Sequence, residues 1–175
     1  MKKLEYVWLS KIGISNSNKF KLIKLFGGVE NLFQSSFDDL IYFGINDEMA
    51  FKILNKNTKE KALYDLEYMN KNNIDIIYFE DKYYPQKLNI IKDKPICFYI
   101  KGNKDIINNN AIGIVGSRIA LKESLEISRL VANAFSCIGE NVISGLAIGI
   151  DKFAHLGALD AMRRRKDYRN CCMSD

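Results

Sequence analysis

The stretch Ala111 to Leu159 constrains this chain most, because it holds a complete strand, turn, helix, strand, turn, helix cycle. Its first run, Ala-Ile-Gly-Ile-Val from Ala111 to Val115, has no polar interruption and ends in Gly116-Ser117-Arg118. Such a run predicts a strand buried on both faces of a parallel sheet. A second apolar run, Asn141-Val142-Ile143, leads into Ser144-Gly145-Leu146-Ala147-Ile148-Gly149-Ile150-Asp151 and then a helical pattern. Between the two, Leu125, Ile127, Leu130, Val131, Ala134 and Phe135 recur at helical spacing, which predicts a right-handed crossover joining two parallel strands. Two glycine-bearing turns then lie side by side at the carboxyl ends of those strands, where open α/β sheets hold their ligands.

The residue types in the turns suit an anion. Gly116 lets backbone pass close to a ligand, and Ser117 and Arg118 stand where the chain leaves the strand. Amides at the start of the following helix offer unpaired donors, and a guanidinium beside them clamps a phosphate in bidentate fashion. Ser144 and Gly145 occupy the equivalent place on the second strand, so successive phosphates of one strand can lie across both turns. Gly113-x-x-Gly116 is neither the dinucleotide fingerprint nor a P-loop, and no cofactor or metal is expected. Asp151 is placed to cap the next helix, with His155 four residues on along the same face. Read as chemistry, the pair would be acid and base. With no nucleophile and orienting partner in view, a structural cap and a hydrogen-bonded, partly buried imidazole is the preferred reading.

Residues 1–73 read as helical. Leu4, Val7, Trp8 and Ile12 suggest a first helix ended by Gly13, and Ser17 a cap for a second that stops at Gly27-Gly28. A further turn around Val29 to Phe33 precedes Ser36-Phe37-Asp38-Asp39, which resembles a capping box with Asp in place of Glu. Asn46 then caps one long helix carrying Met49, Ile53, Leu63, Leu66 and Met69, closed by Asn70 to Asn73. Short helices joined by glycine turns fit a SAM-like or helix-hairpin-helix-like module. Gly13-Ile14-Ser15 carries only the first glycine of the DNA-contacting hairpin, so a packing or partner-binding module is preferred. Ile74 to Phe79 and Ile96 to Ile100 read as strands, separated by a turn and short helix at Asp81 to Leu88. The aromatic cluster Tyr78, Phe79, Tyr83, Tyr84, Phe98 and Tyr99 is of a kind that stacks on bases, but interior packing between two strands accounts better for most of it.

Composition bears on compartment and partners. The 175 residues contain no run of about twenty apolar residues and no signal-like start, which indicates neither membrane span nor export and predicts a cytoplasmic protein. With a single histidine and no CxxC spacing, the four cysteines read as buried small hydrophobes in a reducing compartment and not as zinc ligands or a disulfide framework. The net charge of +5 invites a nucleic-acid reading, but more than half of the excess lies in residues 163–175. Any phosphate site therefore has to be argued from local geometry.

Four segments in order carry a resemblance. Asp81-x-x-Tyr84-Pro85-x-x-Leu88, the strand and turn from Pro95 to Gly102-Asn103, Ile114-Val115-Gly116-Ser117-Arg118, and the run from Ser144 to Leu159 resemble the DNA-processing protein A (DprA/Smf) family. The likeness extends from Trp8 to about Ala161. It implies a helical N-terminal domain, 1–73, followed by the N-terminal part of an extended Rossmann-like domain, 74–162. It also implies a protein that binds and shields single-stranded DNA and loads the RecA recombinase in natural transformation, without catalysis, with a homodimer as a further expectation. Carried over, the DNA-binding residues are Gly116, Ser117, Arg118, Ser144 and Gly145, with Asp151 and His155 structural.

The chain departs from that pattern. Ile148 stands where the family usually has Arg, and Leu121-Lys122-Glu123-Ser124 replaces a Thr-x-Tyr-Gly type of turn. After Ala161 the apolar period stops, and the basic run 163–175 reads as a non-homologous tail, a frameshift product in which A/T-rich codons shifted by one base encode an apolar strand. The DNA sequence past codon 162 decides that reading. On it the parallel sheet is incomplete, which predicts marginal stability and weakened or lost binding. Two other classes stand beside this one: a nucleotide-processing enzyme of the lysine-decarboxylase-like type, which needs a Pro-Gly-Gly loop and a glutamate not seen here, and a helical adaptor in which residues 1–73 bind a protein.

Overall fold

A computed structural model describes residues 2–164. The expected tail from 163 onward lies outside them, apart from its first two residues at the end of the last helix. The chain is α/β, and its contacts separate it into two units after Gly102. No helix among the described residues is long and apolar enough to cross a membrane.

Among the described residues the first unit contains six α-helices, α1 (Lys2–Lys11), α2 (Asn16–Leu25), α3 (Val29–Gln34), α4 (Phe37–Tyr42), α5 (Asp47–Leu54) and α6 (Lys56–Lys71), and a 3-10 helix at Gln86–Ile90. Strands β1 (Ile74–Tyr78) and β2 (Cys97–Lys101) complete it, paired antiparallel with Ile76 opposite Tyr99. Helix α1 is its centre: Tyr6, Val7, Trp8 and Leu9 are all fully buried, which requires packing on every side. The same core takes Leu22, Leu32, Leu40, Ile53 and Met69 from the other helices and Ile76, Ile96 and Cys97 from the strand region. The strands thus belong to the helical unit's core. For that reason the contact boundary falls after Gly102 and not at the 73/74 break in sequence character.

Several local signals act as read, and others do not. Ser36 and Asp39 form the reciprocal capping box of α4, and Asn46 caps α5 by accepting the Met49 amide at 2.9 Å. Ser17 is not the cap of α2. Ser15 is, accepting the Asn18 amide, while Ser17 lies in the first turn and donates its amide to Asp93 Oδ1 at 2.7 Å. The expected single helix after Asn46 is broken at Asn55, whose extended backbone separates α5 from α6. The break turns α6 back along α1, where Lys59 donates to the Phe33 carbonyl at 2.7 Å and sits over the Phe33 ring.

The Asp81 to Leu88 motif is a packed turn. The Asp81 side chain accepts the Tyr83 amide at 2.9 Å, and the fully buried Tyr84 donates its hydroxyl to the Pro95 carbonyl at 2.6 Å. Tyr84 also packs against Phe79 and Phe98, so these rings of the aromatic cluster pack together between the two strands.

The second unit carries β3 (Ala111–Gly113), α7 (Lys122–Cys137), β4 (Asn141–Ile143) and α8 (Ile150–Arg164). β3 and β4 pair in parallel, with Ala111 opposite Asn141 and Gly113 opposite Ile143, and α7 makes the crossover. The first of these strands is not buried on both faces as its apolar run predicts. Ala111 and Gly113 are exposed and Ile112 is half-buried, because among the described residues only one strand pairs with β3. Nor does the apolar stripe of α7 cover the sheet: Ile127 and Leu130 are 60% and 67% exposed. Helix α7 instead packs on α8 through small residues, Ser128 and Ala132 against Ala154, Gly157 and Ala161, and the pair is tied by Arg129 to Asp160 at 2.6 Å.

Candidate functional site

The two turns lie where the parallel pair delivers them. Past β3 the Ile114 amide donates to the Ile143 carbonyl at 3.0 Å, and Ser144 Oγ donates back to the Ile114 carbonyl at 2.7 Å. These bonds carry the pairing beyond the strand ends, so Gly116 and Gly145 leave the sheet together. Ser144 thus joins the two turns through the backbone.

The first turn is held by its own serine. Ser117 Oγ donates to the Ile119 carbonyl and accepts the Ile119 amide at 3.2 Å, which folds the chain into a small loop ahead of α7. Helix α7 starts only at Lys122 with Leu121 as its N-cap, so its free amides do not follow directly on Gly-Ser-Arg as the sequence suggests. Arg118 is exposed, and among the described residues no carboxylate pairs with it. Arg129, by contrast, is committed to Asp160.

The second turn carries the strained backbone. Leu146 has φ 57° and Gly149 φ 89°, both left-handed. Gly149 is required twice over, since a Cβ there would also overlap the Ser117 and Arg118 carbonyls. Gly116 has the same kind of constraint from α8: a Cβ would lie 2.7 Å from Ile150. The Ile150 amide donates to the Ser117 carbonyl at 3.2 Å, so the start of α8 is seated beneath both turns.

Asp151, expected to cap α8, lies within its first turn. Its carboxylate accepts the Gly116 amide at 3.2 Å through Oδ1 and the Gly145 amide at 3.1 Å through Oδ2. Both glycine amides are therefore occupied from inside the protein. His155 is partly buried, and its Nε2 is buried with no hydrogen-bond partner among the described residues. It lines a cleft of about 240 Å³ with Leu146, Ala147, Ile148, Lys152, Leu156 and Leu159. Ile148, in the position where the family pattern carries Arg, is exposed at the rim. Lys152, exposed on the same cleft, is a cation that motif reading passed over, for its position follows from the turn geometry and not from any pattern.

Comparison with known proteins places these features in context. The family described as DNA recombination-mediator protein A matches residues 75–165, slightly more than half of the chain. Protein Smf of Borreliella burgdorferi is 37% identical over 83 residues, 47% of this chain and 26% of that protein. Protein Smf of Escherichia coli is 26% identical over 157 residues, 87% of this chain and 41% of its own length. The X-ray structure of DNA processing protein A from Streptococcus pneumoniae superposes with a TM-score of 0.65 at 23% identity, covering 92% of this chain and 55% of that one. That likeness establishes the fold. The chain spans less than half the length of the curated relatives it matches.

Proposed function

The chain belongs to the DNA recombination-mediator protein A family of DNA-processing proteins, and from that membership we propose that its two turns bind single-stranded DNA, which the protein shields and hands to a RecA-type recombinase without chemistry of its own. The observation that carries this reading is Arg118. It is an exposed, uncommitted cation on a loop beside Gly116, at the carboxyl ends of two parallel strands. A guanidinium there meets a phosphate without first breaking an internal ion pair. Lys152 and the apolar cleft at Leu146 and Ile148 lie along the second turn, and they suit the next phosphate and a base face. Gly116, Ser117, Ser144 and Gly145 are assigned the shape of the site, with Asp151 and His155 as its structural support. A second copy of the chain is a further partner on this reading, since successive sites along one strand make binding cooperative.

Fluorescence anisotropy of the full chain with a labelled oligodeoxythymidylate tests it. Binding falls steeply with salt, and Arg118→Ala weakens it by about tenfold or more. The same substitution lowers the slope of log K against log salt by about 0.7, the share of one phosphate contact on a single strand. Equal affinity and equal slope for wild type and Arg118→Ala remove Arg118 from the site. Retention of a RecA-type recombinase on the protein–DNA complex tests the handover separately.

A further inference from the structure

We propose that Asp151 is a positioning residue whose carboxylate staples the two turns together by accepting both of their glycine amides, leaving the contact with an external anion to Arg118. The staple stands on geometry alone; its consequence for DNA rests on the reading of the turns as a single-strand site.

Three independent observations converge on this carboxylate. It is only 6% exposed, and among the described residues no basic side chain pairs with it. A buried carboxylate is expensive unless its oxygens are hydrogen-bonded, and here each oxygen takes one amide, Gly116 at 3.2 Å and Gly145 at 3.1 Å. The two donors come from the turns that follow different strands, so the bonds bridge segments far apart in sequence. Room for the bridge is made by glycine itself: a Cβ on Gly145 would lie 2.8 Å from Oδ2. The neighbouring backbone needs such a hold, because Leu146 is left-handed, and a strained conformation of this kind persists only where surrounding contacts over-determine it.

The electrostatic consequence follows from the sign of the staple. Two turn amides would ordinarily form a nest for a phosphate oxygen. With a carboxylate already seated on them, an incoming phosphate meets a negative charge behind the turns and is directed outward. Arg118 is exposed and uncommitted. Asp151 therefore sets where along the turns an anion sits without touching it.

Residue-resolved hydrogen exchange on the full chain tests the staple. Gly116 and Gly145 are exposed residues outside the strand ladder, so protection of their amides reports the carboxylate. In the wild type both exchange slowly. In Asp151→Asn, whose amide group presents only one good acceptor, protection at these two positions falls by at least about tenfold while the interior of α7 is unchanged. Unprotected amides in the wild type, or full protection retained in Asp151→Asn, overturn the proposal, and the wild-type measurement decides even where the variant does not fold.

The positioning role is read from DNA affinity. Asp151→Asn weakens oligodeoxythymidylate binding when Arg118 is present and adds little in the Arg118→Ala background, the non-additivity of a residue acting through another. Fully additive losses refute that role. Release of the two amides on DNA binding, seen as loss of their protection in the complex, refutes it as well. A wild type that does not bind the oligonucleotide sinks the single-strand reading, and the exchange rates still judge the staple.

Discussion

Gly157 shows how far a single residue sets the geometry of the second unit. A Cβ at that position would overlap the Arg129 carbonyl and press on Ala132, so α7 and α8 approach closely only because Gly157 has no side chain. Asn133 uses the same closeness to donate to the Gly157 carbonyl at 3.1 Å, and Ser128 to donate to the Ile150 carbonyl at 2.9 Å. Gly157→Ala is expected to force the helices apart and cost about 1–3 kcal/mol, the usual range for overpacking. A lower denaturant midpoint with an unchanged slope is the expected result, and an unchanged midpoint would contradict the packing argument. The substitution leaves the residues of the turns in place. Gly149→Ala, by contrast, would clash with the Ser117 and Arg118 carbonyls within the turns themselves.

Elements in the first unit are tied at their ends by carboxylates. The Ser36 hydroxyl and then the Ser36 amide hold Asp39 below the ordinary carboxylate range, and the Ser17 amide and hydroxyl do the same for Asp93. Both groups are ionised more readily in the folded chain than in the unfolded one. Their stabilisation is thus fully present above the unfolded value, about 3.9, and is lost as pH falls through the lower folded values. Asp93→Asn is expected to destabilise the protein at pH 6 and to converge with the wild type as the medium is acidified toward pH about 2, a comparison made by thermal melts across that window. A constant gap between the two proteins at all pH values would show that the aspartate acts by shape and not by charge. Asp93 comes from the loop before β2 and clasps the first turn of α2, which is why the serine pattern at Ser15 to Ser17 could not reveal the true arrangement.

At the scale of the molecule, the division after Gly102 makes a prediction that the sequence boundary does not. A fragment 2–102 retains the whole buried cluster around Tyr6, Trp8, Leu32, Ile76 and Cys97 and is expected to melt cooperatively. A fragment 2–73 loses Ile76, Ile96 and Cys97 from that cluster and is expected to melt at a lower temperature or to lack a cooperative transition. Equal melts for the two fragments would return the boundary to 73/74. The second unit presents Ile127, Leu130, Ile138 and Ile143 to solvent. Exposed apolar surface of this kind favours association, so light scattering that rises with protein concentration and falls in Leu130→Lys is the expected behaviour.

Much of this was legible in the chain. The βαβ cycle from Ala111, the paired glycine turns, the capping box at Ser36 and the cap at Asn46 were all readable, because each depends on residues a few positions apart and on backbone preferences that travel with residue type. The break at Asn55, the reach of Asp93 to α2 and the seating of Asp151 on two amides were not. They join segments that sequence keeps far apart, and nothing in a local pattern reports where a distant carboxylate will find its donors. The exposure of the α7 stripe was hidden for the same reason: periodicity says that a face is apolar, while only the packed neighbours decide whether it is covered. Sequence by itself thus determined most of the elements and that a glycine-bearing turn follows each parallel strand. Tertiary structure alone decided which amides are already spent and which cation remains, because hydrogen-bond satisfaction in a buried place is settled between elements and not within them.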